Sequence, residues 1–113
     1  MLESVTTVAL TSALNGLSDR QRAIADNIAN VNTSGYLAKV VSFEQALADS
    51  VGRGDGRVTA TVTESTEATR LNGNNVNLDT EVLANIDAVL RYQFASQAVG
   101  GSFASVQTAL RTS

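Results

Sequence analysis

The 113-residue chain contains no cysteine, no histidine and no proline. Without thiols or imidazoles it has no disulfide, no cysteine nucleophile, no histidine base and almost no route to a transition-metal site. Only carboxylate, serine or lysine chemistry is left for catalysis. The missing cysteine leaves the redox compartment open, since a thiol-free chain suits cytoplasm and periplasm equally. The missing proline means that nothing of that kind interrupts a long helix.

Charge is also scarce. Only 17% of residues are charged, the formal net charge is -3, and no block of basic residues occurs. Strong capture of nucleic acid or anionic lipid therefore has no visible source. No run approaches the ~18 apolar residues of a transmembrane helix. The first residues, Met-Leu-Glu-Ser-Val-Thr-Thr, lack the basic region, apolar core and small-residue cleavage site of a secretory signal. A chain of this length supports one modest core, either its own or shared with neighbours.

Two long stripes stand out. Leu10, Leu14, Leu17, Ile24, Ile28 and Val31 follow a 4-3 alternation interrupted at Gln21, which predicts a helix of roughly three heptads. Leu2, Val5, Val8 and Ala9 extend an apolar face upstream but leave that register, so the first turns are expected to fray until covered. Asn30, Asn32, Ser34 and Gly35 stop the helix near Val31. At the other end Val82, Leu83, Ile86, Val89, Leu90 and Phe94, then Val99, Phe103, Val106 and Leu110, predict a second helix. Asn77 or Asp79 caps it. Gly100-Gly101 inside it costs about 1 kcal/mol per glycine against alanine, marking a weak or bent point. Tyr92 and Gln93 sit at the border of the buried face.

Between the stripes lies a polar middle. The segment after Tyr36 reads as a short extended stretch and a helical turn, with Val40, Val41, Phe43, Ala46 and Leu47 as its apolar residues. Gly52 to Gly56 reads as a flexible loop. Val58, Ala60 and Val62 alternate with threonines, the period of a half-exposed strand that orders only against a partner. The expected organisation is a single, mainly α domain over 1–113. Its parts are an N-terminal helix to residue 32, a turn, loop and short strand over 33–76, and a C-terminal helix over 77–113. Two amphipathic helices of matched length are covered most simply by pairing antiparallel in a coiled-coil-like hairpin.

The motifs with chemical overtones have plainer readings. Arg53-Gly54-Asp55 spells an adhesion tripeptide, but such a string is common in glycine-rich loops. Asn32-Thr33-Ser34 fits a glycosylation acceptor and is equally a polar turn. Glu64 with Glu67, and Asp79 with Glu81, are close carboxylate pairs; solvation accounts for the first and the helix dipole for the second. Lys39 has no serine at a catalytic spacing. The residues imply no catalytic group, no metal site, no cofactor and no small-molecule substrate. Asn27, Asn30 and Asn32 are denser than a helix end requires, so they either satisfy orphan carbonyls or bond across a subunit boundary.

Gln21 to Phe43, QRAIADNIANVNTSGYLAKVVSF, resembles the N-terminal signature of the flagellar axial family, which includes rod, hook and hook-filament junction proteins. Ile24 to Tyr36 follow that signature almost position by position. RLNGNNVNLDTE, from Arg70 to Glu81, and LRYQ, from Leu90 to Gln93, resemble the C-terminal half of its proximal-rod members. Ser34 stands where the family usually has proline, and Leu37 where a basic residue is common. The stretch from Ala48 to Thr69 carries no resemblance.

The resemblance implies a non-enzymatic structural subunit of the bacterial flagellar basal body, exported by the flagellar type III apparatus without a cleaved signal. It would assemble in the periplasm, beside the inner membrane without spanning it, as part of the drive shaft for motility. Its implied partners are copies of itself, other rod proteins and the export-gate or MS-ring adaptor proteins, with no nucleic acid. Assembly and packing are expected to fall on Leu10, Leu14, Leu17, Ile24, Asn27, Ile28, Asn30, Val31, Asn32, Gly35 and Tyr36, and on Asn75, Leu78, Leu83, Ile86, Leu90, Tyr92, Gln93, Phe94, Phe103, Val106 and Leu110. The competing readings are another axial family member, or a small helical export adaptor or chaperone that forms a discrete dimer.

Overall fold

Ser4 opens the first element by accepting a hydrogen bond from the Thr7 amide on its side-chain oxygen, at 3.1 Å, one of the orphan donors of a helix start. The computed structural model describes residues 4–112, with side chains described as far as residue 101. It is mainly helical: α1 (Val5–Ala29), β1 (Lys39–Ser42), α2 (Glu44–Gly52), β2 (Thr61–Glu64) and α3 (Leu78–Thr112). Helix α1 is formed from Val5 onward, and the turn at Gly56 lies against Val5 and Ala9 of its first turns. It ends at Ala29, short of Val31, where the Asn30 side chain takes the Asp26 carbonyl at 2.8 Å. Leu2 lies outside the described residues.

Leu17 and Ile24 of the N-terminal stripe are buried, while Leu10, Leu14, Ile28 and Val31 are half-buried. The deepest face of α1 also includes Ser12, Gly16, Ala23 and Asn27, small or polar residues that a hydrophobic count passes over. Each of them admits something close to the helix. Leu17 and Ala23 pack with Val41 of β1 and Phe43, and Leu47, Val58 and Ala60 close over them. Phe43 lies so tightly on α1 that a Cβ built at Gly16 would stand 2.6 Å from its ring.

The middle is more ordered than its composition predicts. After Phe43 the chain forms the nine-residue helix α2, longer than the single turn expected. The Gly52 to Gly56 loop is tied down rather than flexible. The Ser50 carbonyl accepts from the amides of Arg53, Asp55 and Gly56, and buried Ser12 donates to the Gly56 carbonyl at 2.8 Å while accepting from the Val58 amide. β2 pairs antiparallel with β1, Lys39 opposite Glu64 and Val41 opposite Val62. The threonine-rich strand thus orders against its own chain, and no outside partner is needed.

Asn77 caps α3, its Oδ1 accepting from the Thr80 amide at 3.2 Å. The helix runs unbroken through Gly100-Gly101 to Thr112, and α3 packs along α1. The face it turns inward carries Glu81, Ala88 and Ala95, all buried, and half-buried Ala84. The large apolar residues of the predicted stripe point elsewhere. Alanine at this contact lets the two helices approach closely. Phe103, Val106 and Leu110 have side chains outside the described residues.

Replacing Gly16 with alanine forces the buried Phe43 ring to move. We expect Gly16→Ala to lower stability by about 1–3 kcal/mol, the usual cost of overpacking. Gly52→Ala, at the end of α2 with nothing within 4 Å of its Cβ position, should instead be neutral or gain up to about 0.5–1 kcal/mol. Urea denaturation of both variants checks the contrast; equal stability would refute the packing of Phe43 on Gly16.

Candidate functional site

Asn27 is fully buried, near the end of α1. Its amide has two donor and two acceptor positions, and all four are used. Nδ2 donates to the Lys39 carbonyl and to Glu81 Oε1, both at 3.0 Å. Oδ1 accepts from the Lys39 amide at 2.8 Å and the Tyr36 hydroxyl at 3.1 Å. By holding both backbone groups of Lys39, Asn27 takes the place of a neighbouring strand at the edge of β1, and through Glu81 it reaches α3. Asn27 was expected either to serve a helix-end carbonyl or to bond across subunits; here it joins three elements of one chain.

The Asn-Gly-Asn-Asn turn completes the junction. Asn74, also fully buried, donates from Nδ2 to the carbonyls of Asn30 and Thr33, each at 2.8 Å, and accepts from the Val76 amide at 2.7 Å. Asn75 accepts from the Ala38 amide at 2.7 Å and donates to the carbonyls of Ser65 and Glu67 at 3.1 Å. Arg70 spans the carbonyls of Val76 and Val31 at 2.7 and 2.6 Å. Gly35 and Gly73 both have positive φ, +76° and +81°, and a Cβ on Gly73 would lie 3.3 Å from the Gly35 Cα. Two turns distant in sequence sit back to back, and glycine alone makes both the dihedral and the approach inexpensive.

The two segments that carry the family resemblance are therefore the two halves of one polar junction. Asn27, Asn30, Tyr36 and Asn75 are brought together there, with Val31 and Gly35 at its rim, while Asn32 is exposed. Sequence reasoning missed Asn74, Arg70 and Glu81. Two adjacent asparagines ahead of a helix were the available signal for the first. Glu81 was read as a solvated dipole charge, yet it is only 8% exposed.

A charge ladder crosses the helices higher up. Arg20 of α1 grips Glu44 of α2 through both terminal guanidinium nitrogens, Nη2 lying 2.7 Å from Oε1 and 2.8 Å from the Val41 carbonyl. The same guanidinium rests 4.9 Å above the Phe43 ring. Arg91 of α3 approaches Glu44 at 3.6 Å and pairs with Asp87 at 2.9 Å.

Facing away from all this, α3 exposes Leu78, Val82, Leu83, Ile86, Leu90 and Phe94, the last at 77%. Tyr92 and Gln93 are also exposed. Among the described residues no group of carboxylates could hold a metal ion, and no helix is long and apolar enough to cross a membrane. The geometry offers a rigid brace and an uncovered apolar face.

The two key carboxylates respond to pH in opposite senses. The Arg20 hydrogen bond holds Glu44 down from 4.5 to about 2, so its contribution is complete above pH 4.5 and is lost as pH falls through about 2. Burial pushes Glu81 up, against the Asn27 hydrogen bond, so its neutral form suits the fold and a penalty grows as pH rises above 4.5. Glu44→Gln should therefore melt lower than the parent at pH 7, by roughly 1 kcal/mol once solvent screening of this half-exposed pair is allowed for, and the gap should close toward pH 2. Glu81→Gln keeps an acceptor for Asn27 and should melt at or above the parent at pH 7, with no difference near pH 4. Thermal melts across this range check both signs.

Comparison with known proteins accords with these features. Residues 9–36 match the family model described as "Flagella basal body rod protein", the stretch that forms most of α1 and its exit. The flagellar basal body rod protein FlgB of Bacillus subtilis (strain 168) is 30% identical over 115 residues, covering 89% of each chain. Those of Salmonella typhimurium (strain LT2) and Escherichia coli (strain K12) are 29% identical over 121 and 122 residues, each covering 88% of both chains. A structural role in the basal body, with no enzymatic activity, follows from this kinship. The chain belongs to the flagellar basal body rod protein family, among its FlgB members.

Proposed function

We propose that this chain is a structural subunit of the proximal rod, exported by the flagellar type III apparatus and polymerised through its terminal helices as part of the drive shaft. The observation that carries the reading is the outer face of α3. A single chain leaves Leu83, Ile86, Leu90 and Phe94 more than half exposed on one long helix, a face that gains stability only when neighbours cover it. In this reading α1 and α3 form an antiparallel pair. Asn27, late in α1, meets Glu81, early in α3; Glu44, held by Arg20 from earlier in α1, reaches Arg91 later in α3.

The assembly positions are then Leu78, Leu83, Ile86, Leu90, Tyr92, Gln93 and Phe94 on α3, with Leu10, Leu14 and Ile28 along α1. Leu17, Ile24, Asn27, Asn30, Tyr36 and Asn75 hold the subunit's shape. Copies of the chain, other rod proteins and an adaptor at the inner-membrane ring are the partners that fit, with assembly in the periplasm beside the membrane.

Leu90→Asp separates export from assembly. Leu90 is 60% exposed, so aspartate there should change the stability of the single chain by no more than about 0.5 kcal/mol. In a packed rod the same change forfeits roughly 1.5–3 kcal/mol of burial and adds the cost of a buried, unpaired charge. The variant should be secreted normally, yet form no rods and leave cells non-motile. Secretion assays beside basal-body imaging read both outcomes; normal rods with Leu90→Asp would overturn the mechanism.

A further inference from the structure

Two features at opposite ends of α1 are left over by the junction and the helix faces. At one end a groove of about 540 Å³ lies between the start of α3 and the segment after β2. Glu81 and Glu67 line it, with the hydroxyl-bearing Ser65 and Thr80. Glu81 is more than nine-tenths buried, and Asn27 holds only one of its carboxylate oxygens. No described side chain donates to the other oxygen, and no side-chain oxygen cut off from solvent lacks a partner, so this oxygen keeps some access to solvent in a residue that lines the groove. Among the described residues no cation pairs with either carboxylate. A desolvated carboxyl without a counter-charge is an expensive arrangement that an incoming cation relieves.

At the other end, Arg53 stands on the turn that follows α2. Its neighbours in that turn are anchored on the Ser50 carbonyl, so the side chain is presented on a fixed base. Arg20, Arg22, Lys39, Arg57, Arg70 and Arg91 all engage carboxylates or carbonyls of their own chain. Arg53 alone, among the described residues, has an exposed cation with no side-chain partner. Its turn lies by Val5 and Ala9, which Gly56 touches, whereas Glu81 meets Asn27. Eighteen residues of α1 separate Ala9 from Asn27, about 27 Å at 1.5 Å per residue, so the arginine and the groove of one chain do not meet.

We propose that the Arg53 turn of one copy seats in the Glu81–Glu67 groove of the next, joining subunits head to tail. Made reciprocally, this contact would close two copies into a two-fold pair; made in one direction, as proposed, it propagates as a ring or as an open helix, so covalent species larger than a dimer are the ones that count. Arginine suits such a socket, since its planar fork of donors matches carboxylate oxygens and tolerates partial desolvation. The proposal rests on the rod-subunit reading above and assigns it one specific contact.

The cysteine-free sequence supplies a clean test. Gly52→Cys/Ala68→Cys changes two exposed positions, one beside Arg53 and one in the groove, keeps Arg53, Glu67 and Glu81 in place, and introduces the only thiols in the chain. It would be produced in a flagellated host lacking its own copy, and isolated basal bodies would be mildly oxidised and run on a non-reducing gel. Covalent multimers of the chain larger than a dimer, absent from either single-cysteine variant, are expected. Incorporated chain that stays monomeric or dimeric on the gel would overturn the contact, including the case in which a different rod protein fills the groove. Charge reversal reads the same contact without thiols: Arg53→Glu should cut rod number by about tenfold, in line with a lost interfacial charge pair, and Arg53→Glu/Glu67→Arg should restore it. No loss with Arg53→Glu, or no recovery in the double variant, would also refute it. If the unsubstituted chain is secreted but never enters basal bodies, the rod-subunit reading itself fails, and that result is separate from the behaviour of the cysteine pair.

Discussion

Everything in this subunit leans on one buried amide. Asn27 sits without solvent contact between α1, β1 and α3, and its two donors and two acceptors are all engaged. Removing any partner strands a buried polar group at about 1–3 kcal/mol, so the exit of α1, the edge of β1 and the entry of α3 are set in one geometry. Asn74 and Asn75 repeat the device a short distance away, tying the turn before α3 to the exit of α1 and to Ala38. Buried asparagine stabilises weakly against an apolar substitute, but it accepts few alternatives, and a part built for a regular assembly needs one shape.

That brace explains the division of side chains along α3. Because the helix is held by hydrogen bonds at its start and by the Arg20–Glu44–Arg91 ladder further on, its inward face can be made of alanines. The bulky residues are then released to the outer side. In a free-standing domain the arrangement would be inverted, with leucine and phenylalanine inward and small or polar residues outward. Under the rod assembly proposed above, neighbours would cover the outer face, and the opposite arrangement then has a reason. The elongated outline of 66 × 25 × 16 Å likewise exposes more surface than a protein meant to stand alone would choose.

The polar middle has a part in this economy that its composition hides. Ser12, Ser50 and Gly56 draw the Gly52 to Gly56 turn onto the start of α1, while Ser65 and Asn75 draw the segment after β2 onto the other end. The insert spans α1 and gives its two ends different chemistry, a guanidinium at one and carboxylates at the other.

The sequence by itself determined the terminal helices, their approximate bounds, the glycine at the exit of α1 and a cap at Asn77 or Asp79, because these follow from local periodicity and from dihedral and capping preferences within a few residues. It also determined the family, since the asparagine-rich strings on either side of Gly35 and Gly73 are distinctive in order and spacing. Which way each stripe faces was not legible. A helix with alanine on one side and leucine on the other reads as amphipathic with the leucines inward, and only the position of α1 in space shows that Ala88 and Ala95 are the buried side. Nor could the role of Asn27 or Glu81 be read, because their partners lie far off in the chain and a hydrogen bond leaves no periodic trace. The pairing of β1 with β2 and the anchoring of the glycine loop were decided by tertiary structure for the same reason. Short, polar segments have too little local preference to fix their own conformation, and the face of α1 they pack on fixes it for them.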